Sequence, residues 1–258
     1  MWEPVGEDLL DGLLAALDDG EVRLDAACAI AELVANSYGA DGAVLGATMR
    51  ARGAVKRLAE LLSDPSDDLK AQALHALGNL CSDAVDPESS LTKQLLLQLG
   101  SAQALLACAR SDDTDVRLLG CATLQNLCNG VEWATVVMAL GAVPIFESYV
   151  ATPGEDPQVV HYSSGLLKNC LSSMEAAGVP APPLSESSLD VVHRREMEAV
   201  VLAFRQRRAV RIIATAARRM TADARLQRVL RHVEAEVRQL RRSAPCDGVR
   251  ARGRVEVV

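Results

Sequence analysis

Aromatic side chains are scarce in this 258-residue chain, which contains 2 Trp, 3 Tyr and 2 Phe. Its apolar fraction of 49% is rich in alanine, leucine and valine instead. This composition favours closely packed helices over β-sandwiches or barrels, because strands are enriched in aromatic and β-branched residues. Long apolar runs are also missing. The longest nearly apolar stretch, residues 134–146, is too short to cross a bilayer, so we expect no membrane span.

The usual short motifs of catalytic sites are missing as well. The sequence has no GxGxxG, GxxxxGK[ST], GxSxG or HExxH, and no histidine lies near paired carboxylates. Acidic residues cluster in turns, where they suit helix caps better than general acid catalysis. We therefore predict a protein that is not an enzyme, with no cofactor and no metal site.

The seven cysteines show no CxxC pair and no clustered zinc-ligand spacing. We expect them to be small buried side chains in a reducing compartment. The amino terminus is acidic and lacks the basic and apolar regions of a signal peptide. These features predict a cytoplasmic location, with a nuclear one as the alternative.

Lysine is rare, with 4 Lys against 23 Arg, and the charges are unevenly placed. Residues 1–187 carry 10 basic and 26 acidic side chains, a net charge of −16, whereas residues 188–258 carry 17 arginines and 8 acids, a net charge of +9. Such asymmetry is typical of a partner-binding segment or of a contact within the chain. Nucleic acid is not an expected partner, because the body is acidic and the basic segment lacks interleaved aromatics for base stacking.

The most regular stretch is residues 53–83, which is predicted to form two helices joined by the turn Asp64-Pro65-Ser66-Asp67. Each predicted helix has one apolar stripe at the three- and four-residue spacing of a helix with a buried face. The stripes are Val55, Leu58, Leu61 and Leu62, then Leu69, Ala73, Leu77 and Leu80. One such pair cannot bury both stripes alone, so it needs neighbours of the same kind.

Similar units recur at residues 100–130 and 141–173, with a degenerate copy at residues 8–36. Aligned on the second long helix, one position holds Glu32, Asn79, Asn126 and Asn169, separated by 47, 47 and 43 residues. This is the period of about 40–47 residues found in helical repeats. A short apolar helix before each of three glycines, at residues 47–52, 92–99 and 134–140, predicts three helices per repeat. The first copy lacks that helix, which fits both a natural terminal unit and a truncated chain.

Three segments carry a family resemblance: Leu-Gly-Asn-Leu at 77–80, Leu-Gln-Asn-Leu at 124–127 and Leu-Lys-Asn-Cys at 167–170. They resemble the third-helix signature of armadillo repeats, as do the Gly-Ala-Val openings at 53 and 141. The resemblance covers roughly residues 5–173. It implies an all-α fold, an armadillo-type right-handed α-solenoid of about 3.5 repeats, whose third helices line a concave groove.

In that family the repeated asparagine typically hydrogen-bonds the backbone of an extended peptide. The resemblance therefore implies a non-catalytic protein–protein interaction module whose groove residues are Asn79, Asn126 and Asn169, with Asn129 and His75 assisting. The partner would be a protein with an extended acidic or polar segment. Members that bind nuclear import signals typically carry tryptophan four residues before the asparagine. This chain has Cys28, His75, Ala122 and Gly165 there, which weakens an import-receptor function.

We divide the chain into an armadillo repeat domain at 1–173, a proline-rich linker at 174–187, a basic amphipathic helix at 188–242 and a flexible tail at 243–258. Residues 184–244 contain neither glycine nor proline, which predicts a long basic C-terminal helix. An unbroken helix of this length would extend about 80 Å, so we expect a break near Thr221.

Part of the basic helix is similar to an IQ motif, a calmodulin-binding pattern. The matching residues are Val200, Phe204, Arg205, Arg208 and Arg211. Val201 and Gln206 depart from the motif. Three roles stay open for this helix: capping the last repeat, binding a calmodulin-like calcium sensor, or lying against the acidic repeats and blocking the groove.

Overall fold

The computed structural model describes residues 7–181 and residue 184, and this part of the chain contains eleven α-helices and no strand. The helices are α1 Glu7–Ala16, α2 Arg23–Ala35, α3 Ala40–Ala51, α4 Ala54–Leu61, α5 Asp67–Leu80, α6 Ser89–Gln98, α7 Ala102–Ala109, α8 Thr114–Leu127, α9 Val131–Ala139, α10 Ala142–Ala151 and α11 Pro157–Ala176. A leading pair, α1 and α2, precedes three three-helix units: α3 to α5, α6 to α8 and α9 to α11. The predicted stack of helical repeats is confirmed.

The first helix of each complete unit is longer than predicted. Helices α3, α6 and α9 begin seven, three and three residues before their predicted starts at 47, 92 and 134. In α3 the difference comes from Gly42 and Gly46, which lie inside the helix although glycine is unfavourable there. A Cβ at Gly42 would lie 1.8 Å from the carbonyl oxygen of Val85, so the glycine lets the loop after α5 approach α3. At the other end, α11 continues to Ala176, three residues into the predicted linker.

Glycine makes the corner between the first and second helices, as predicted. Gly53 and Gly141 precede α4 and α10 with φ angles of 72° and 80°, in the left-handed region. Residues with a side chain adopt this conformation at a cost, whereas glycine does not. The two corners therefore require the residue type that the sequence places there.

The third helices form one continuous row, in which α2 packs on α5, α5 on α8 and α8 on α11. The second helices α4, α7 and α10 pack on α5, α8 and α11. All eight members of the two predicted apolar stripes are buried, none more than 6% exposed. The buried apolar residues form one core that runs from Leu10 in α1 to Met174 in α11. Each repeat thus buries the apolar face that its neighbour cannot bury alone.

Among the described residues, hydrogen bonds from side chains to backbone carbonyl groups connect successive repeats in one direction. In the part of the chain that the structure describes, seven side chains of a later unit donate to backbone carbonyl groups of the unit before it. The donors are Cys108, Thr123, Asn126, Trp133, Tyr149, Asn169 and Ser173. Trp133 Nε1 donates to Lys93 O and the Tyr149 hydroxyl to Ala109 O, so both aromatics are inter-repeat packing residues.

A buried ion pair holds the loop after α5 against α3. Asp86 is fully buried, and Arg50 Nη1 lies 2.5 Å from its Oδ2 and 3.0 Å from Thr92 Oγ1. Arg50 Nη2 lies 3.0 Å from Glu88 Oε2. Buried charges are tolerated when they are paired and hydrogen-bonded, as here. The loop therefore has a fixed position at the end of α5.

The last helix ends in a glycine-terminated hydrogen-bond motif. Gly178, with a φ of 66°, donates its N–H to Glu175 O, and Val179 donates to Met174 O. These bonds satisfy carbonyl groups that the helix end would leave open. Val179 and Leu184 then pack against the core, so the start of the predicted linker covers part of the last repeat.

No single helix among the described residues is long and apolar enough to cross a bilayer. The pair α9 and α10 meets the length and composition requirement only together, across a bend of 87°.

Candidate functional site

The residues at which the third helices begin determine where the predicted groove residues lie along the row. Three of these helices begin at a side-chain cap: Ser66 Oγ accepts from Leu69 N–H, Asp113 Oδ1 from Asp115 and Val116 N–H, and Asp156 Oδ1 from Gln158 N–H. Such caps satisfy backbone donors that the first turn leaves open, and so fix where each helix starts.

Asn79, Asn126 and Asn169 occupy equivalent positions on the row, and all three are half-buried. Asn126 Nδ2 donates to Gly78 O at 2.9 Å, and Asn169 Nδ2 donates to Gln125 O at 3.0 Å. Both acceptors belong to the preceding third helix, one residue before its own asparagine. The amide donors of these two residues therefore join neighbouring repeats.

Asn79 differs from the other two, because its Nδ2 donates to His75 O within its own helix at 2.9 Å. The neighbouring helix α2 carries Glu32, also half-buried, at the equivalent position. The series of cross-repeat asparagine bonds therefore begins only between α5 and α8.

The arrangement leaves acceptor groups along the row. Where Nδ2 of an asparagine is bound to backbone, the Oδ1 of the same amide faces away from that bond and has no partner among the described residues. A carbonyl oxygen of this kind can accept a hydrogen bond from the N–H of an extended peptide. The binding role of Asn79, Asn126 and Asn169 stays a prediction.

The two assisting residues have different surroundings. His75 is half-buried on α5, one turn before Asn79. Asn129 is exposed and lies with Asn169 in one depression of about 500 Å³. The structure therefore brings Asn129 and Asn169 together, and the assisting role of Asn129 and His75 stays a prediction.

We call this depression the amide subsite, and its lining residues are Asn129, Val131, Asn169, Ser172, Ser173, Ala176 and Ala177. Sequence reasoning missed five of the seven. Ser172 could have been found, because it lies three residues after Asn169, as Asn129 does after Asn126. Ala176 and Ala177 lie beyond the predicted domain end at residue 173 and have no comparable pattern.

A second depression of about 410 Å³ lies between α7 and the end of α9. Gln103, Leu106, Ala107, Arg110 and Leu140 line it. It holds none of the predicted groove residues, and it has a volume close to that of the amide subsite. Its exposed residues therefore serve as matched controls.

Gly165 lies one turn before Asn169 on α11 and is buried beneath the side chain of Gln125. A Cβ on Gly165 would lie 2.4 Å from Gln125 Nε2. Gln125 Oε1 and His161 Nδ1 are buried polar atoms without a hydrogen-bond partner among the residues that the structure describes. Gln125 thus occupies the space that a larger residue at position 165 would take.

The Asp83 carboxylate and the cysteine thiols near the row of third helices have structural surroundings. Asp83 follows α5 and accepts hydrogen bonds from the Ser89 hydroxyl and, at 3.2 Å, from Lys93 Nζ, and these contacts lower its pKa. Burial raises the pKa of the Cys81 and Cys121 thiols to about 12. Thiols with such pKa values are protonated and poor nucleophiles at neutral pH. Five of the six cysteines in the described residues are buried and none is disulfide-bonded, as expected for small core side chains.

Within residues 7–181 no group of three or more histidine, cysteine, aspartate or glutamate side chains is placed to hold a metal ion. The calmodulin-like site predicted at Val200, Phe204, Arg205, Arg208 and Arg211 lies outside the described residues. So do the predicted basic helix, the tail and most of the proline-rich linker.

Comparisons with known proteins agree with this geometry. The family model described as Armadillo/beta-catenin-like repeat matches residues 49–82, which span the end of α3 to the end of α5. No curated protein matches the chain significantly. Among solved structures, a crystal structure of an engineered protein is 17% identical, with a TM-score of 0.58, covering 89% of this chain and 80% of that chain.

Two further structures are similar to this chain. A designed armadillo repeat protein in complex with the peptide (KR)4 is 19% identical, with a TM-score of 0.55, covering 74% of this chain and 81% of its own. A crystal structure of computationally designed armadillo repeat proteins for modular peptide recognition is 20% identical, with a TM-score of 0.55, covering 74% of this chain and 82% of that chain. The predicted solenoid is confirmed for the part of the chain that the structure describes, which is an armadillo-type α-solenoid, and the predicted C-terminal helix lies outside it.

Proposed function

We propose that this armadillo-type solenoid is a non-catalytic protein-binding module that holds an extended partner segment along its row of third helices. The observation that carries the proposal is the equivalent placement of Asn79, Asn126 and Asn169, each with its amide nitrogen bound to backbone and its Oδ1 left as an acceptor. An extended peptide has unpaired N–H groups at regular intervals, and such a row can accept from them. The proposed partner is a protein with an extended polar segment.

The structural neighbours support this proposal at a coarse level. One is a designed armadillo repeat protein in complex with a peptide, and another was designed for modular peptide recognition. Their fold presents a peptide-binding surface, and this chain has the same fold. We place the module in the cytoplasm or nucleus, on the sequence arguments above.

A binding test needs variants that change the groove without weakening the stack. Asn79→Ala combined with His75→Ala is suitable, because the Asn79 side-chain donor bonds only within its own helix. The probes are 12-residue peptides selected from a display library on the full chain, with affinity measured by fluorescence anisotropy. We expect the double variant to weaken selected peptides by about tenfold, the loss expected for one to three hydrogen bonds.

The matched control is Gln103→Ala in the second depression, which should leave affinity unchanged. Circular dichroism establishes that each variant remains folded. Unchanged affinity in a folded Asn79→Ala, His75→Ala variant, or an equal loss in the control, would contradict the groove proposal.

A second candidate function is regulation through residues 188–242, favoured by the opposite net charges of residues 1–187 and 188–258. In this proposal the basic segment recruits a calmodulin-like calcium sensor or occupies the acidic repeat surface. The test is retention of the full chain on immobilised calmodulin with calcium and with chelator, compared with an Arg205→Glu, Arg208→Glu variant. Equal retention with calcium and with chelator, and equal retention of the wild-type chain and the charge-reversed variant, would rule out this candidate.

A further inference from the structure

We infer that the amide subsite, at the C-terminal end of the groove, receives an uncharged part of the partner segment that carries a glutamine or asparagine side chain. This inference rests on the proposed function and adds to it the chemistry that one part of the groove selects. Three segments build the subsite: the connection between α8 and α9, the start of α9 and the last turns of α11.

The walls of the subsite are held in place by the bonds that stack the repeats. Asn169 Nδ2 donates to Gln125 O at 3.0 Å, and one turn later Ser173 Oγ donates to Cys128 O at 3.2 Å. These bonds fix the side chains before any ligand arrives, which reduces the entropy lost on binding. The volume of about 500 Å³ is within the usual range of ligand sites.

The lining offers both hydrogen-bond donors and acceptors. Asn169 Oδ1 is an acceptor, the exposed amide of Asn129 has two donor hydrogens and one acceptor, and the exposed Ser172 hydroxyl can do both. A carboxamide side chain supplies the reciprocal set, with two N–H groups and one carbonyl oxygen. Val131 and Ala176 add apolar surface for the methylene groups beneath that carboxamide.

Charged ligands fit less well. The described residues that line the subsite include no acidic side chain to pair with a lysine or arginine and no basic one to pair with a carboxylate. The start of α9 has no side-chain cap at Gly130 and would attract an anion, but Glu132 lies in its first turn. The Glu132 carboxylate lies within 3.4 Å of the Cβ position of Gly130, so negative charge is already present.

The experiment uses the same display library on the full chain, and the enriched peptides are sequenced. We expect glutamine or asparagine to be enriched at one fixed position. For those peptides, Ser172→Ala and Asn129→Ala should each weaken binding by about threefold to tenfold, as for a lost hydrogen bond. Replacing Gln or Asn by Ala in the peptide should cost the same, and that loss should disappear in the Ser172→Ala, Asn129→Ala double variant.

A pair of charge variants tests the neutral character of the subsite. Ser172→Lys and Ser172→Asp should both weaken the selected peptides, because each places a charge beside an uncharged ligand. The control is Ala107→Lys in the second depression, which should have no effect. Strong improvement by either Ser172 variant would show that the ligand is charged and would overturn the inference.

The outcomes separate this inference from the proposed function. Suppose that peptide affinity falls in the Asn79→Ala, His75→Ala variant but is unchanged in every subsite variant. That result would support the groove proposal and contradict the subsite inference. Peptides that are indifferent to both sets, or a library that yields no binder, would reject both proposals.

Discussion

Replacing one of two helical glycines by alanine should have opposite effects in neighbouring repeats. Gly120 in α8 and Gly165 in α11 both lie within long third helices. A Cβ at Gly120 would lie 2.6 Å from Ala109 N and 2.9 Å from Ala109 Cα, which are backbone atoms of α7. A Cβ at Gly165 would instead meet the side-chain amide of Gln125, which can rotate away.

The magnitudes follow from two opposing effects. Alanine is favoured over glycine in a helix interior by about 0.8–1.0 kcal/mol. Overpacking against atoms that cannot move costs about 1–3 kcal/mol, and the rigid backbone contact at Gly120 puts it at the upper end. We expect Gly120→Ala to lower the free energy of unfolding by about 1–2 kcal/mol and Gly165→Ala to raise it by up to about 1 kcal/mol. The two variants should therefore differ by about 1–3 kcal/mol.

The measurement is urea denaturation followed by circular dichroism at 222 nm, with thermal unfolding as a second reading. Gly20→Ala is the control for a glycine with open space around it, because nothing lies within 4 Å of its Cβ position. Equal free energies of unfolding for the Gly120→Ala and Gly165→Ala proteins would refute this prediction. The expected difference arises only because one new Cβ meets backbone atoms and the other meets a side-chain amide.

Asn126→Ala should lower the free energy of unfolding by about 0.5–1.5 kcal/mol more than Asn79→Ala, because only Asn126 donates across a repeat boundary; equal urea midpoints would contradict this. Asp83 has a lowered folded-state pKa, so its contribution to stability is present above the unfolded pKa of about 3.9 and is lost as the pH falls through the folded value. Urea midpoints of wild type and Asp83→Asn should therefore differ at pH 6 and converge at acid pH, whereas a constant difference would refute the assignment. With thiol pKa values of about 12, Cys81 and Cys121 should react with iodoacetamide at pH 8 only in urea, as read by peptide mass spectrometry, and rapid native labelling would show that they are accessible.

The repeat period was enough to predict most of the fold. One asparagine per unit at separations of 47 and 43 residues placed α5, α8 and α11 in phase, and the apolar stripes predicted their buried faces. The starts of the first helices were predicted less well, because α3 contains Gly42 and Gly46. Those glycines serve a contact with a loop about 40 residues later, which local sequence pattern cannot show.

The equivalent positions of the site asparagines were predictable from the sequence, but their hydrogen-bond acceptors and the full lining of the subsite were not. That Asn126 and Asn169 lie at equivalent positions of one row follows from the repeat period. The choice of acceptor for each Nδ2 depends on the distance and angle between adjacent helices, so the internal bond of Asn79 could not be foreseen. The apolar part of the subsite at Ala176 and Ala177 depends on where α11 ends, which is the kind of boundary that sequence patterns place least well.

The one-way pattern of side-chain donors has a consequence for how the chain is made. The seven side-chain donors described above all find backbone oxygens on the preceding unit, and water can serve those oxygens until the next unit emerges from the ribosome. During synthesis each new unit can therefore dock onto hydrogen-bond acceptors already present on the unit before it, and this docking buries the apolar face that the earlier unit cannot bury alone. Deleting the last unit should expose well-hydrated oxygens. Deleting the first complete unit would remove the Gly78 oxygen and leave the Asn126 amide donor without its acceptor, whereas the Thr123 hydroxyl would keep its bond to Leu119 O within α8.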